Sequence, residues 1–141
     1  MVAFSSLILT ASLSTLVTIS DQASALVPHD PIFIWGNGDF TAANGVTGGS
    51  GTSLDPYVIE GWEIIAPGPW RAIRIGNTDA HFLIRNVYAR AGGVSAAIDL
   101  YEASNGVVEN SEVRGSLVEF QIGRCNNITV RNNSVSGSNG S

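Results

Sequence analysis

The sequence predicts an all-β fold, a right-handed parallel β-helix of about three to four coils with an N-terminal cap and an open C-terminal end. Three observations predict it. Apolar segments recur every 22 to 25 residues, they alternate apolar and polar positions, and residues 26–141 show no sustained helical periodicity. Because a repeat of this length buries its apolar face only against neighbouring repeats, we expect a solenoid.

Each repeat contains two β-type segments separated by Gly, Asn and Ser residues. The first recurs at offsets of 25, 24 and 22 residues, and the second at offsets of 25 and 22 residues. Equivalent residues of successive coils lie about 4.8 Å apart in a parallel stack, so aligned residues form columns. The segments are residues 59–64, 84–89, 108–113 and 130–135, and residues 73–78, 98–103 and 120–125.

Two of these columns consist of asparagine. Asn86, Asn110 and Asn132 align, and Asn105 aligns with Asn127. Asparagine tolerates the left-handed backbone of a sharp bend, and stacked side-chain amides can hydrogen-bond to each other. Both columns are therefore predicted to be structural ladders at corners of the coil.

Charges of opposite sign alternate along an outward column. Each charge would lie between opposite charges of the neighbouring turns, whereas like charges at that spacing would be unfavourable. Alternation favours this register, although an exposed pair is worth only about 0 to 1 kcal/mol. The column is Glu60, Arg85, Glu109 and Arg131, and Arg74 over Asp99 and Glu102 over Arg124 continue the pattern.

The chain divides into three segments. Residues 1–25 are predicted to be a signal peptide, because residues 4–19 are apolar and residues 23–25 form a small-residue cleavage motif. Residues 26–56, with an apolar strand at 32–35 and a Gly-rich loop, are predicted to cap the first coil. Residues 57–141 hold the repeats, the last of which is incomplete.

The predicted signal peptide implies that the mature chain is secreted or lies on the cell surface, and an uncleaved anchor is the alternative. A secreted chain with one cysteine, Cys125, has no internal disulfide. Cys125 aligns with Thr78 and Ala103, which predicts a small inward-facing residue rather than a reactive thiol.

Two runs carry a family resemblance. Residues 36–46 read Gly-Asn-Gly-Asp-Phe-Thr-Ala-Ala-Asn-Gly-Val, and residues 55–62 read Asp-Pro-Tyr-Val-Ile-Glu-Gly-Trp. They resemble the start of archaeal secreted and cell-surface β-helix proteins, which are grouped with right-handed parallel β-helix repeat and NosD-like proteins. The resemblance covers residues 29–135 and implies a pectate-lyase-like solenoid, often one module of a large surface protein. It implies no single activity, because this fold hosts lyases, hydrolases, adhesins and scaffolds.

Composition and motifs argue against several classes of function. The net charge is −5 and all seven basic residues are Arg, so neither nucleic acid nor membrane insertion after signal cleavage is expected. No column supplies two adjacent carboxylates for acid and base catalysis, so no catalytic residue is assigned. His29 and His81 are interpreted as loop residues rather than ligands, so no metal or cofactor is expected.

Aromatic residues are the weak ligand-binding candidates, because aromatic faces on the side of a solenoid can hold carbohydrate. They are Trp62 and Tyr88, which are assigned to one column, and Tyr101, which lies near a turn.

Three Asn-x-Ser/Thr sequons begin at Asn127, Asn132 and Asn139. The first two fall in the asparagine columns, where an inward amide could not carry a glycan. Asn139 is therefore the candidate for glycosylation.

Together these features favour a non-catalytic structural or interaction module that binds a polysaccharide or another cell-surface protein. The alternative is the N-terminal part of a polysaccharide lyase or glycoside hydrolase whose active site lies in downstream coils. A third hypothesis is end-to-end self-association through the open end, because unpaired strand edges can accept another chain.

Overall fold

The computed structural model describes residues 24–137, which form a β-solenoid of about three turns. Short 3-10 helices at Asn37–Asp39 and Ala42–Asn44 lie between the second and third strands. The strands are β1 (Val27–Pro28), β2 (Ile32–Trp35), β3 (Val46–Gly48), β4 (Tyr57–Glu60), β5 (Trp62–Ile65), β6 (Ile73–Thr78), β7 (Phe82–Arg85), β8 (Tyr88–Arg90), β9 (Ala96–Glu109), β10 (Glu112–Arg114), β11 (Val118–Gly123), β12 (Asn126–Arg131) and β13 (Ser134–Val135).

Each turn contributes to three sheets. Sheet 1 contains β4, β7, the second half of β9 and β12, and β3 pairs antiparallel with β4 at its edge. Sheet 2 contains β1, β5, β8, β10 and β13. Sheet 3 contains β2, β6, the first half of β9 and β11. Apart from the pairing of β3 with β4, the pairings among the described strands are parallel.

The prediction of two strands per repeat was wrong, because the first repeated segment bends in its middle. Its corner residues are Gly61, Asn86, Asn110 and Asn132, with φ angles of 80°, 49°, 50° and 54°. A left-handed residue breaks the extended ladder, so each such segment supplies one strand to sheet 1 and a second strand to sheet 2.

The asparagines of both columns have left-handed backbone angles, but the side chains of Asn127 and Asn132 do not point inward as predicted. Asn127 donates from Nδ2 to Oδ1 of Asn105 at 2.9 Å, and both residues have positive φ. Asn127 and Asn132 are nevertheless exposed. The inward amide is that of Asn133, which donates to the carbonyl of Val108. At a corner the left-handed residue points away from the apolar interior, where an unsatisfied amide would be costly.

The interior is a stack of aliphatic side chains. In sheet 3, Ile34, Ile75 and Leu100 are in register and fully buried. Inside the neighbouring corner, Thr78 and Ala103 are also in register and buried, and Cys125 packs against the same core. The interpretation of Cys125 as a small inward-facing residue is thereby confirmed.

The charge column has the predicted register. Arg85 pairs in register with Glu60 on one side and Glu109 on the other. Its Nε lies 2.6 Å from Oε2 of Glu60, and Nε of Arg131 lies 2.7 Å from Oε2 of Glu109. The hydrogen bond to Glu60 and the charge of that carboxylate raise the pKa of Arg85 above its ordinary value.

The N-terminal segment, residues 26–56, contributes strands and a buried aromatic residue to the solenoid. Its strands β1 and β2 pair in parallel with β5 and β6. Phe40 is buried and stacks on Tyr57, with ring centroids 4.6 Å apart. The Gly-rich loop folds back on the carbonyl of Asp55, which accepts hydrogen bonds from the N–H groups of residues 50, 51 and 52.

Two predictions fall partly or wholly beyond this region. The signal peptide, apart from its last two residues, and the glycosylation candidate Asn139 lie outside the described residues. Residues 24–137 include no helix with the length and apolar character needed to cross a membrane.

Candidate ligand-binding face

Strand β2 places two aromatic side chains on the outside of sheet 3. Its sequence alternates Ile with Phe and Trp, so Ile32 and Ile34 point into the core. Phe33 and Trp35 point outward and are 54% and 37% exposed. Large aromatic groups left this accessible on a regular sheet mark a surface available for binding.

The outward column through Trp35 alternates aromatic residues with glycine. Trp35 pairs with Gly76, which pairs with Tyr101, which pairs with Gly123. A Cβ on Gly76 would lie 2.4 Å from Cζ3 of Trp35 and 2.7 Å from the carbonyl oxygen of Tyr101. The absence of a side chain at Gly76 therefore allows the two rings to approach each other.

The planes of the three rings on this face are nearly parallel, and we call Phe33, Trp35 and Tyr101 the aromatic stripe. The ring planes of Phe33 and Trp35 differ by 14° with centroids 6.2 Å apart. Those of Trp35 and Tyr101 differ by 10° with centroids 6.5 Å apart. The stripe thus forms a row of parallel aromatic rings that crosses the solenoid from its first turn to its third.

Guanidinium groups border the aromatic stripe. Cζ of Arg74 lies 4.9 Å from the ring centroid of Trp35 and 5.9 Å from that of Phe33. Cζ of Arg124 lies 5.8 Å from the centroid of Tyr101. Such contacts contribute about 0.5 to 1 kcal/mol each at exposed sites, and they hold the charged groups beside the rings.

A buried carboxylate orients two of the arginines. The side chain of Asp99 is 2% exposed, and its Oδ2 lies 2.6 Å from Nε of Arg71 and 3.3 Å from Nε of Arg74. Neither Nε–H points at the carboxylate well enough for a hydrogen bond, so the contact is one of charge. Two cations around one anion leave a local excess of positive charge, and an arginine has further N–H groups that can bind a ligand.

Two shallow cavities adjoin the stripe, with volumes of about 240 Å³ and about 190 Å³. Trp70, 66% exposed, forms part of the wall of the larger one. Apolar rings and guanidinium groups thus alternate over a long, open surface instead of converging on a deep pocket. The larger cavity is lined by Pro31, Ile32, Phe33, Trp70, Arg71 and Arg74, and the smaller by Phe33, Trp35 and Arg74.

Of the three aromatic candidates, only Tyr101 lies in the stripe. Trp62 donates from Nε1 to the carbonyl of Gly45 at 2.8 Å and packs on His29, so it anchors the N-terminal segment. Tyr88 lies on sheet 2, and it pairs with Glu63 rather than Trp62. The assignment of Trp62 and Tyr88 to one column was therefore wrong by one residue.

Sequence reasoning missed Phe33, Trp35 and Arg71. Residues 32–35 had been assigned to a cap, so they were not aligned with the segments at 73–78 and 98–103. Their strict alternation was the available signal. Aligning Trp35 with Gly76 would have placed it in a column of alternating aromatic residues and glycine.

The described part of the chain holds no group of three or more His, Cys, Asp or Glu side chains arranged to bind a metal ion. Compared with known protein families, curated proteins and solved structures, the chain gives no match. We therefore infer function from the geometry of the face itself.

Proposed function

We propose that this chain is a non-catalytic interaction module that binds a polysaccharide along the aromatic stripe. The observation that carries the proposal is the row of three exposed or half-exposed rings whose planes are nearly parallel, with angles of 14° and 10° between neighbours. A pyranose ring has an apolar face of C–H groups that can lie flat on an aromatic ring. An extended chain of sugar rings can therefore contact such a row at several points.

The polar groups beside the stripe suit the hydroxyl groups of such a ligand. Arg71 and Arg74 supply N–H donors, and the exposed amide of Gln121, in register with Asp99, supplies both a donor and an acceptor. The aromatic contacts would provide most of the affinity, and the polar contacts would orient the chain. Open faces of this kind bind a long ligand at many points, each of them weak.

The proposal is tested by affinity gel electrophoresis with carboxymethylcellulose, galactomannan or polygalacturonate cast into the gel. We expect at least one of these polymers to retard the protein, and Trp35→Ala to weaken that retardation at least about tenfold, because central aromatic residues dominate binding energies. Tyr88→Ala is the matched control, since Tyr88 is an outward aromatic residue on sheet 2. Equal losses in the two variants, or no retardation by any polymer, would contradict the proposal.

We also propose that the chain is exported and that it is related to secreted β-helix proteins. The runs at residues 36–46 and 55–62 support kinship with the secreted β-helix proteins they resemble, and the apolar leader supports export with cleavage after Ala25. The N-terminal residue of the exported protein tests the second point. Edman sequencing should begin at Leu26, and a chain retained in the cell with Met1 intact would contradict export.

A further inference from the structure

The corner between sheets 1 and 2 presents an accessible glycosylation sequon in the last coil. Asn132 is exposed at this corner with a φ of 54°, and Ser134 follows it on β13, also exposed. Between them Asn133 points inward, where it accepts from the N–H of Ser111 at 3.0 Å and donates to the carbonyl of Val108 at 2.9 Å. The anchored middle residue thus leaves the first and third residues of the sequon outside.

Asn132 differs in this respect from the sequon residue Asn127. The Nδ2 atom of Asn127 lies 2.9 Å from Oδ1 of Asn105, so a sugar on that nitrogen would press against the neighbouring turn. Around Asn132 there is space. It lines an open groove of about 540 Å³ together with Ser134 and Tyr88.

We propose that Asn132 is an N-glycosylation site. The proposal rests on the proposed location outside the cell, because a chain becomes an acceptor only on export. Nδ2 of Asn132 attacks C1 of an oligosaccharide carried on a polyprenyl phosphate or diphosphate. The Nδ2–C1 bond forms, the bond from C1 to the phosphate oxygen breaks, and the polyprenyl phosphate or diphosphate leaves with the bonding electrons while Nδ2 loses one proton to the catalytic base of the transferase.

The position of Asn132 keeps the glycan away from the candidate binding face. The aromatic stripe lies on sheet 3, whereas the corner at Asn132 joins sheets 1 and 2. A bulky glycan at this corner would shield the last coil and leave the stripe free. Glycosylation at Asn132 is thus compatible with polysaccharide binding.

The same corner provides internal controls. Asn86 and Asn110 share the left-handed backbone and the exposure of Asn132. They are followed two residues later by Tyr88 and Glu112, so neither belongs to a sequon. Peptides that contain them should carry no sugar, which separates recognition of the sequon from simple access to the corner.

The test is peptide mass spectrometry of the full chain expressed in yeast, with a C-terminal extension that carries an independent Asn-Gly-Thr reporter sequon. We expect sugar on both the reporter and Asn132. In Asn132→Gln and in Ser134→Ala the sugar should be absent from position 132 and still present on the reporter. The glycosylated protein and Asn132→Gln should unfold at the same urea concentration, because the site lies outside the core. A glycosylated reporter with bare Asn132 would overturn the proposal, and a bare reporter would overturn it together with the extracellular location.

Discussion

The two ends of the solenoid differ in how deeply they bury side chains at the same inward-facing positions. At the N-terminal end, Ile32 and Ile34 are 2% and 0% exposed. In the last coil the same two columns of sheet 3 are occupied by Phe120, which is half-buried, and Ile122, which is 46% exposed. One turn earlier, Leu100 is in register with Ile122 and is fully buried. The difference is therefore one of cover and not of chemistry.

At the N-terminal end a buried aromatic side chain, Phe40, packs into the core. Its ring centroid is 4.6 Å from that of Tyr57 and 5.9 Å from that of Phe82. Among the described residues the buried aromatic side chains are Phe40 and Phe82, and neither belongs to the last coil. In a solenoid each turn is stabilised by its neighbours, so stability should fall towards the uncovered end.

The largest expected difference in stability is between two substitutions in the same column, one at each end of the solenoid. Ile34→Ala should lower the free energy of unfolding by about 2 to 5 kcal/mol, because it empties a closed core. Ile122→Ala, which removes the same atoms from a half-exposed position, should cost about 1 kcal/mol. Urea unfolding followed by circular dichroism measures both. Equal losses would mean that the last coil is covered in solution.

The two glycines in the column of Trp35 and Tyr101 give the next largest difference in stability. Gly76→Ala should cost about 1 to 3 kcal/mol, since the new methyl group would meet the ring of Trp35 and the backbone of Tyr101. Gly123→Ala should cost less than about 0.5 kcal/mol, because its nearest neighbour is the half-exposed ring of Tyr101 at 3.1 Å.

Tryptophan fluorescence checks the accompanying shift of the stripe. Gly76→Ala should change the emission, because Trp35 must move, whereas Gly123→Ala should leave it unchanged. If the two variants have the same stability and the same emission, Trp35 is not held against Gly76.

The exposed apolar side chains of the last described coil also predict self-association with a second copy. Val130 and Val135 add to the exposed apolar surface, at 40% and 50% exposure, and the edges of β11 and β12 are open to further pairing. We therefore expect two copies to meet through their last coils, related by a two-fold axis.

Sedimentation velocity over a range of concentrations measures this association. Ile122→Asp should weaken it at least about tenfold, or about 1.4 kcal/mol, because it places a charge in the contact. Phe33→Asp is the control for association through the aromatic stripe, and it should have no effect. A monomer at the highest concentration would leave the end uncovered and contradict the expectation.

The sequence predicted the stacking well and the bends poorly. Register follows from the repeat length, so the pairings of Arg74 with Asp99 and of Glu60 with Arg85 could be read directly. The asparagine columns predicted the left-handed corners, but they did not predict that the side chain of a left-handed residue points away from the core. Asn132 was for that reason assigned to the interior although it is exposed.

The candidate site was harder to predict, because it joins residues from different kinds of segment. Tyr101 belongs to a repeat and was recognised as an aromatic candidate. Phe33 and Trp35 lie before the first repeat, where alternation over four residues predicts a strand but does not say which strand it pairs with. Their proximity to Tyr101 depends on β2 pairing with β6, a long-range contact that alternation within four residues does not specify.

Substitutions at the corner between sheets 3 and 1 should change stability least, and by the same amount in the coil of Glu102 and in that of Arg124. Glu102 and Arg124 stack in one column with φ angles of 54°, a conformation that costs a side chain without local hydrogen bonding about 1 to 2 kcal/mol. Asparagine relieves part of that strain, while either substitution removes an exposed ion pair worth about 0 to 1 kcal/mol. Glu102→Asn and Arg124→Asn should therefore each raise the free energy of unfolding by about 0.5 kcal/mol. Ser104→Asn is the control, because Ser104 does not have a left-handed backbone, and it should leave the free energy of unfolding unchanged. Backbone strain is local, so equal increases in the free energy of unfolding in the two coils would show that the ends differ in burial alone. A lower free energy of unfolding for Arg124→Asn would show that the ion pair outweighs the strain in the last coil.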